Sequence, residues 1–90
     1  MNVDDTLIQR GVRYGNYKED VSRVSQALKE TVRSGAEWKE MDDDMKESLD
    51  LICNKISRIV NGDPWYHDSW HDIIGYARLV EERLELILKD

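Results

Sequence analysis

Apolar residues recur at helical spacing in three long stretches of the chain, separated by short polar breaks marked by glycine. Tyr17, Val21, Val24, Leu28 and Val32 follow one another at gaps of four, three, four and four, and Gly35 closes the stripe. Met45, Leu49, Ile52, Cys53, Ile56, Ile59 and Val60 make the apolar face of the next helix, which Gly62 and Pro64 stop. Trp70, Ile73, Ile74, Ala77, Val80, Leu84, Ile87 and Leu88 carry the last helix toward the C-terminus, with Asp68 or Ser69 as its cap. A weaker segment precedes these: Asp4 or Asp5 can cap a short helix through Leu7, Ile8 and Val12, which Gly11 weakens and Gly15 breaks. No strand-like alternation of useful length intervenes. The pattern predicts an all-α fold: a small antiparallel three-helix bundle with an additional short N-terminal helix, in a single helical domain spanning residues 1–90.

Composition narrows the function. Apolar residues at 40% and charged residues at 36% suit a folded chain rather than a disordered one. The formal net charge of −6, with Lys and Arg dispersed, argues against coating DNA or RNA, because phosphate binding along a duplex needs a concentrated basic face. Basic residues interrupt the acidic ones, so no continuous carboxylate face mimics nucleic acid. Cys53 is the sole cysteine and sits among Leu49, Ile52 and Ile56, as a buried small apolar residue would in a reducing cytoplasm. No apolar run reaches the length of a membrane span and the first ten residues lack the regions of a signal peptide, so cytoplasmic location without a membrane partner is expected. Leu79 and Leu86 widen the apolar face of the last helix, which points to a homo-oligomer, a dimer first.

The polar residues allow several chemistries. Asp42 to Asp44 precede an apolar period, where carboxylates cap free N–H groups and oppose the helix dipole; a metal cluster would need ligands from elsewhere too. His67 and His71 have the spacing of a zinc pair, but only Asp72 stands near as a third ligand, His67 falls before the expected helix start, and His71 projects with Arg78 and Glu82 away from the core. Asp72, Tyr76 and Arg83 share one edge of the last helix. Asp50, Ser57 and Asn61 share one edge of the third, with Lys55 and Arg58 toward the other. Carboxylates from facing helices, Asp50 and Asp72, could hold Mg²⁺ while Lys55, Arg58 or Arg83 meets phosphate; interhelical ion pairs closing the bundle are the simpler account. Gly75, inside a helix, suggests that another helix or a ligand approaches there. Tyr14 and Tyr17 around Gly15 either stack on a base or anchor the first helix. No nucleophile constellation and no phosphate loop occurs.

The stretches "RGVRYGNYKEDVSRVSQAL", "DLICNKISRIVNGDP" and "DSWHDIIGYARLVEERL" together resemble a family of small phage and prophage proteins, over about Ile8 to Leu84. The positions that carry the resemblance are Arg13, Tyr14, Gly15, Lys55, Arg58, Asn61, Gly62, Asp63, Pro64, Trp70, Asp72, Gly75, Tyr76 and Ala77. More loosely, the chain is similar to the MazG-like all-α nucleoside triphosphate pyrophosphohydrolases, small helical oligomers that hold Mg²⁺ with carboxylates on facing helices. Glu47 and Asp50 supply one Glu-x-x-Asp spacing and Asp72 the next helix's acid, but the Glu-Glu-x-x-Glu grouping is missing; Glu19, Asp20 and Glu30 do not reproduce it.

Two functions follow. In the first, a phage-type accessory protein acts as a helical interaction module on a host or phage protein, anchored by Trp65 and Tyr66, and needs no cofactor. In the alternative, a nucleotide is bound or hydrolysed with Mg²⁺ at a cleft of Asp50, Lys55, Arg58, Asp72 and Tyr76.

Overall fold

The computed structural model describes residues 3–89. Helix α1 spans Val3–Tyr14, α2 Ser22–Arg33, α3 Asp43–Asn61 and α4 His67–Lys89, and the described residues include no strand. The all-α bundle with a short extra N-terminal helix is therefore what the chain forms. No described helix is long and apolar enough to cross a membrane.

A π-helical turn, Tyr17–Val21, leads directly into α2. The Asn16 side chain accepts the Glu19 amide at 2.9 Å, while the Asn16 carbonyl accepts the Asp20 and Val21 amides at 3.1 and 2.9 Å. This wide first turn seats Val21 at the centre of the molecule, where it is buried. Its carbonyl accepts the Ser57 hydroxyl at 2.6 Å, fixing the start of α2 against the end of α3.

Helix α3 is the shared element. On one side Arg33 of α2 pairs with Asp50; on the other Ser48 donates to the Tyr76 carbonyl at 3.0 Å and Asp44 holds Arg83 of α4. Both neighbours run antiparallel to α3, pack on it and scarcely touch each other. Among the described residues the buried polar ones are all serines, Ser25, Ser48, Ser57 and Ser69, and small side chains let helices approach closely. The buried apolar ones among the described residues are only Val21, Cys53 and Ile59. The molecule measures 50 × 26 × 22 Å with a radius of gyration of 15.4 Å, against about 12 Å for a compact chain of this length.

Several expectations change. Trp70 is not core: it is 52% exposed, and its indole N–H donates to the Pro64 carbonyl at 2.8 Å. Ile56, Val60 and Ile74 are likewise exposed, because the open arrangement leaves nothing above them. Helix α4 starts at His67, so neither Asp68 nor Ser69 is its cap; Asp68 accepts the Tyr66 hydroxyl and Ser69 is buried. Asp42 occupies the cap position of α3 without a side-chain capping bond, and Asp42 and Asp44 grip Arg83 instead. Nothing lies within 4 Å of where a Cβ on Gly75 would point, so that glycine marks no close approach. The close approach is instead where the end of α1 meets the end of α3: a Cβ on Gly15, which has φ 90°, would strike the Asn61 carbonyl, and one on Gly62 would strike Arg13 and Tyr14 backbone.

Candidate functional site

The structure distributes the residues singled out in the sequence over separate seams of α3. Asp50 lies in the α2–α3 seam, with Oδ2 3.0 Å from Arg33 Nη2 and Oδ1 buried without a hydrogen-bond partner. Lys55 and Asp72 do come together, at 3.0 Å, across the α3–α4 seam, and the Lys55 side chain is only 13% exposed. Tyr76 sits in that seam too, one turn further along α4, where its carbonyl takes the Ser48 hydroxyl. Arg58 leaves α3 in a third direction and lies over the Tyr14 ring, 4.6 Å from its centroid.

Asp50 and Asp72 thus each face a basic side chain on different seams, and the described residues contain no group of three His, Cys, Asp or Glu placed to hold a metal. Within one chain these carboxylates do not fit a Mg²⁺ site. His67 is the first residue of α4 rather than a residue before it, and its ring stacks on His71, 5.6 Å between centroids, on the exposed surface. Arg83 is committed to Asp42 and Asp44 at 2.8 and 2.6 Å; the Arg83 hydrogen bond holds the Asp44 carboxyl below the usual carboxylate range. Burial pushes the Cys53 thiol up, so it is a packed residue rather than a nucleophile.

Around the α1–α3 corner a different cluster forms. The Asp63 amide donates to the Arg13 carbonyl at 2.7 Å, and the two glycines let the backbones touch. Tyr66 is built into this corner: its ring meets Tyr14 edge-on at 5.9 Å, its hydroxyl accepts from Arg13 at 3.4 Å and donates to Asp68 at 3.0 Å. That bond to Asp68 raises the Tyr66 phenol and lowers the Asp68 carboxyl. Trp65, beside it, points outward and is 86% exposed.

Beneath the corner opens a cleft of about 670 Å³ lined by Leu7, Arg10, Tyr14, Tyr17, Lys18 and Arg58 among others, none of them acidic. Arg10 also lies near the Tyr14 ring, at 5.9 Å. Arg23, Arg33, Arg78 and Arg83 make ion pairs, whereas Arg10, Arg13 and Arg58 make none among the described residues and all surround Tyr14 and Tyr66. Sequence reading found Tyr14, Tyr17 and Arg58 but passed over Arg10 and Lys18. The available signal was that neither has a carboxylate three or four positions away.

On the opposite side of the layer lies an apolar face. Ile56 and Arg58 are two residues apart, about 200° around α3, so the face bearing Ile56 turns away from the cleft. Ile56 and Val60 of α3 are exposed on one face of that helix, and Trp70, Ile74 and Leu84 of α4 are exposed on one face of theirs. A shallower groove between α3 and α4, lined by Met41, Met45, Leu49, Ile52, Ala77 and Val80, continues it. No protein-family model, no curated protein and no solved structure matches the chain.

Proposed function

We propose that the chain is a small accessory protein of the phage or prophage type, a helical interaction module that works as a homodimer and engages a host or phage protein. The observation that supports this reading is the uncovered apolar face. A folded monomer of this mass exposes about 5,500 Å². This chain exposes 6705 Å², leaving an excess of roughly 1,200 Å², more than the ~800 Å² each partner contributes to an ordinary stable interface. The apolar strip of α3 and α4 is complementary to the same surface on a second copy, since a two-fold axis sets apolar against apolar. In that arrangement Trp65, outside the face, is the aromatic left to meet a different protein.

The alternative, a Mg²⁺-dependent nucleotide pyrophosphohydrolase of the MazG-like kind, would draw on Asp50 and Asp72. Their placement on different seams gives it no site within one chain, and no hydrolytic step is assigned. Light scattering during size exclusion tests the dimer: a mass of twice the 10.6 kDa chain is expected, and Ile74→Glu should return it to one chain's mass. A wild-type protein that stays monomeric throughout a concentration series would remove this reading.

A further inference from the structure

We propose that the cleft between α1, the π-helical turn and α3 binds a nucleoside phosphate, with Arg10, Lys18 and Arg58 meeting the phosphates and Tyr14 and Tyr17 meeting the base. The charge pattern carries this first. In a chain of net charge −6, three cations line one cleft with no acid among its walls, and none of the three is ion-paired among the described residues. Arg10 and Arg58 both lie within 6 Å of a single ring, Tyr14. Two like charges held against one ring repel, and an anion between them removes that cost. Guanidinium groups match phosphate oxygens in pairs, which makes phosphate the anion they suit best.

The rest of the lining calls for a ring. At about 670 Å³ the cleft falls in the size range of small-molecule sites and far exceeds a lone phosphate. Leu7, Tyr14 and Val21 supply apolar wall, and Tyr17, 72% exposed at the rim, offers a free aromatic face on which a base can stack. A long nucleic acid needs an extended basic track, which a chain of net charge −6 with dispersed Lys and Arg does not offer, so a free nucleotide is the better occupant. The site is distinct from the Asp50 and Asp72 seams, and it lies on the side of the layer away from Ile56, so it stays open in the proposed dimer.

Isothermal titration of the full chain with ATP, GTP, CTP and UTP, in the presence of a chelator, tests the site, with tripolyphosphate and a tyrosine-phosphorylated peptide as comparison probes. At least one nucleotide should bind, more tightly than either comparison probe. Lys18→Gln and Arg58→Gln should each weaken it about tenfold or more, and Tyr17→Ala should weaken nucleotide without affecting tripolyphosphate. Lys39→Gln makes the same change in net charge outside the cleft and should leave binding unaltered. Lys18 and Tyr17 are exposed, so their variants keep the test valid even where Arg58→Gln unfolds. Absence of binding by all four nucleotides overturns the proposal. So does equal or tighter binding of tripolyphosphate or the phosphopeptide, or an equal loss in Lys39→Gln and Lys18→Gln. Ile74→Glu should bind nucleotide like the wild type, which separates this site from the dimer.

Discussion

Lys55 Nζ stands 3.0 Å from Asp72 Oδ2, bridging α3 and α4 with the lysine mostly enclosed and the aspartate partly open to water. The pair ties the two helices together and sets what an Asp72 substitution should do. Asp72→Ala should lower stability by about 1–2 kcal/mol, because it leaves a largely buried ammonium without its partner. In a domain of this size that corresponds to a fall in melting temperature of roughly 4–16 °C. Lys55→Met combined with Asp72→Leu should regain most of the loss, as apolar packing replaces the pair. A single Asp72→Ala variant that melts with the wild type would show that the ion pair holds nothing together.

The glycines give a prediction of opposite signs. Gly75→Ala should stabilise the protein by about 0.5–1 kcal/mol, since the position is helical and open space surrounds the added methyl. Gly15→Ala should destabilise by about 1–3 kcal/mol or more, as it combines φ 90° with a collision against Asn61 backbone. Urea unfolding of the two variants beside the wild type checks both, and two shifts of the same sign would contradict this account.

Arg83 makes the acid limb of the stability curve diagnostic. The Asp44 carboxyl is held below its ordinary range by the Arg83 hydrogen bond, so folding binds this proton less readily than the unfolded chain does. Its contribution is present above the ordinary carboxylate range and is lost as pH falls through the lowered folded value. Arg83→Gln should therefore destabilise the protein near neutral pH and flatten the acid loss attributable to Asp44. Chemical denaturation from about pH 2 to pH 7 measures this, and an unchanged slope in the variant would assign the acid loss elsewhere.

Trp65 and Trp70 should separate cleanly. Trp65→Ala should change stability by no more than about 0.5 kcal/mol, because the ring is outside every packed seam. With an unchanged melting temperature, loss of a host or phage protein captured by the wild type would place the partner contact at that ring. Trp70→Ala removes the bond to Pro64 and part of the apolar face, so it should weaken the dimer as well as the α3–α4 corner.

Cys53 offers a probe of opening. Buried, with its thiol pushed up, it should react with a thiol reagent only as fast as the protein unfolds locally, and the rate should rise with added urea. Fast reaction in native buffer would mean that the α2–α3 seam is not closed.

Apolar periodicity by itself determined the helices and their order. Spacings such as Val21, Val24 and Leu28, or Leu49, Ile52 and Ile56, record local backbone geometry, and glycine and proline end helices through their own dihedral limits. The same periodicity could not say which apolar residues are covered, because a stripe looks identical whether a neighbouring helix or open solvent lies above it. Trp70 and Ile74 read as core for that reason, and only the row arrangement, with α3 between α2 and α4, left them exposed. Charge pairing was equally a tertiary decision. Arg58 and Arg83 both lack an acid at helical spacing, yet Arg83 meets Asp42 and Asp44 from forty residues away in the chain's fold while Arg58 meets Tyr14. Coulombic partners depend on distance in space, which sequence spacing gives only within a helix.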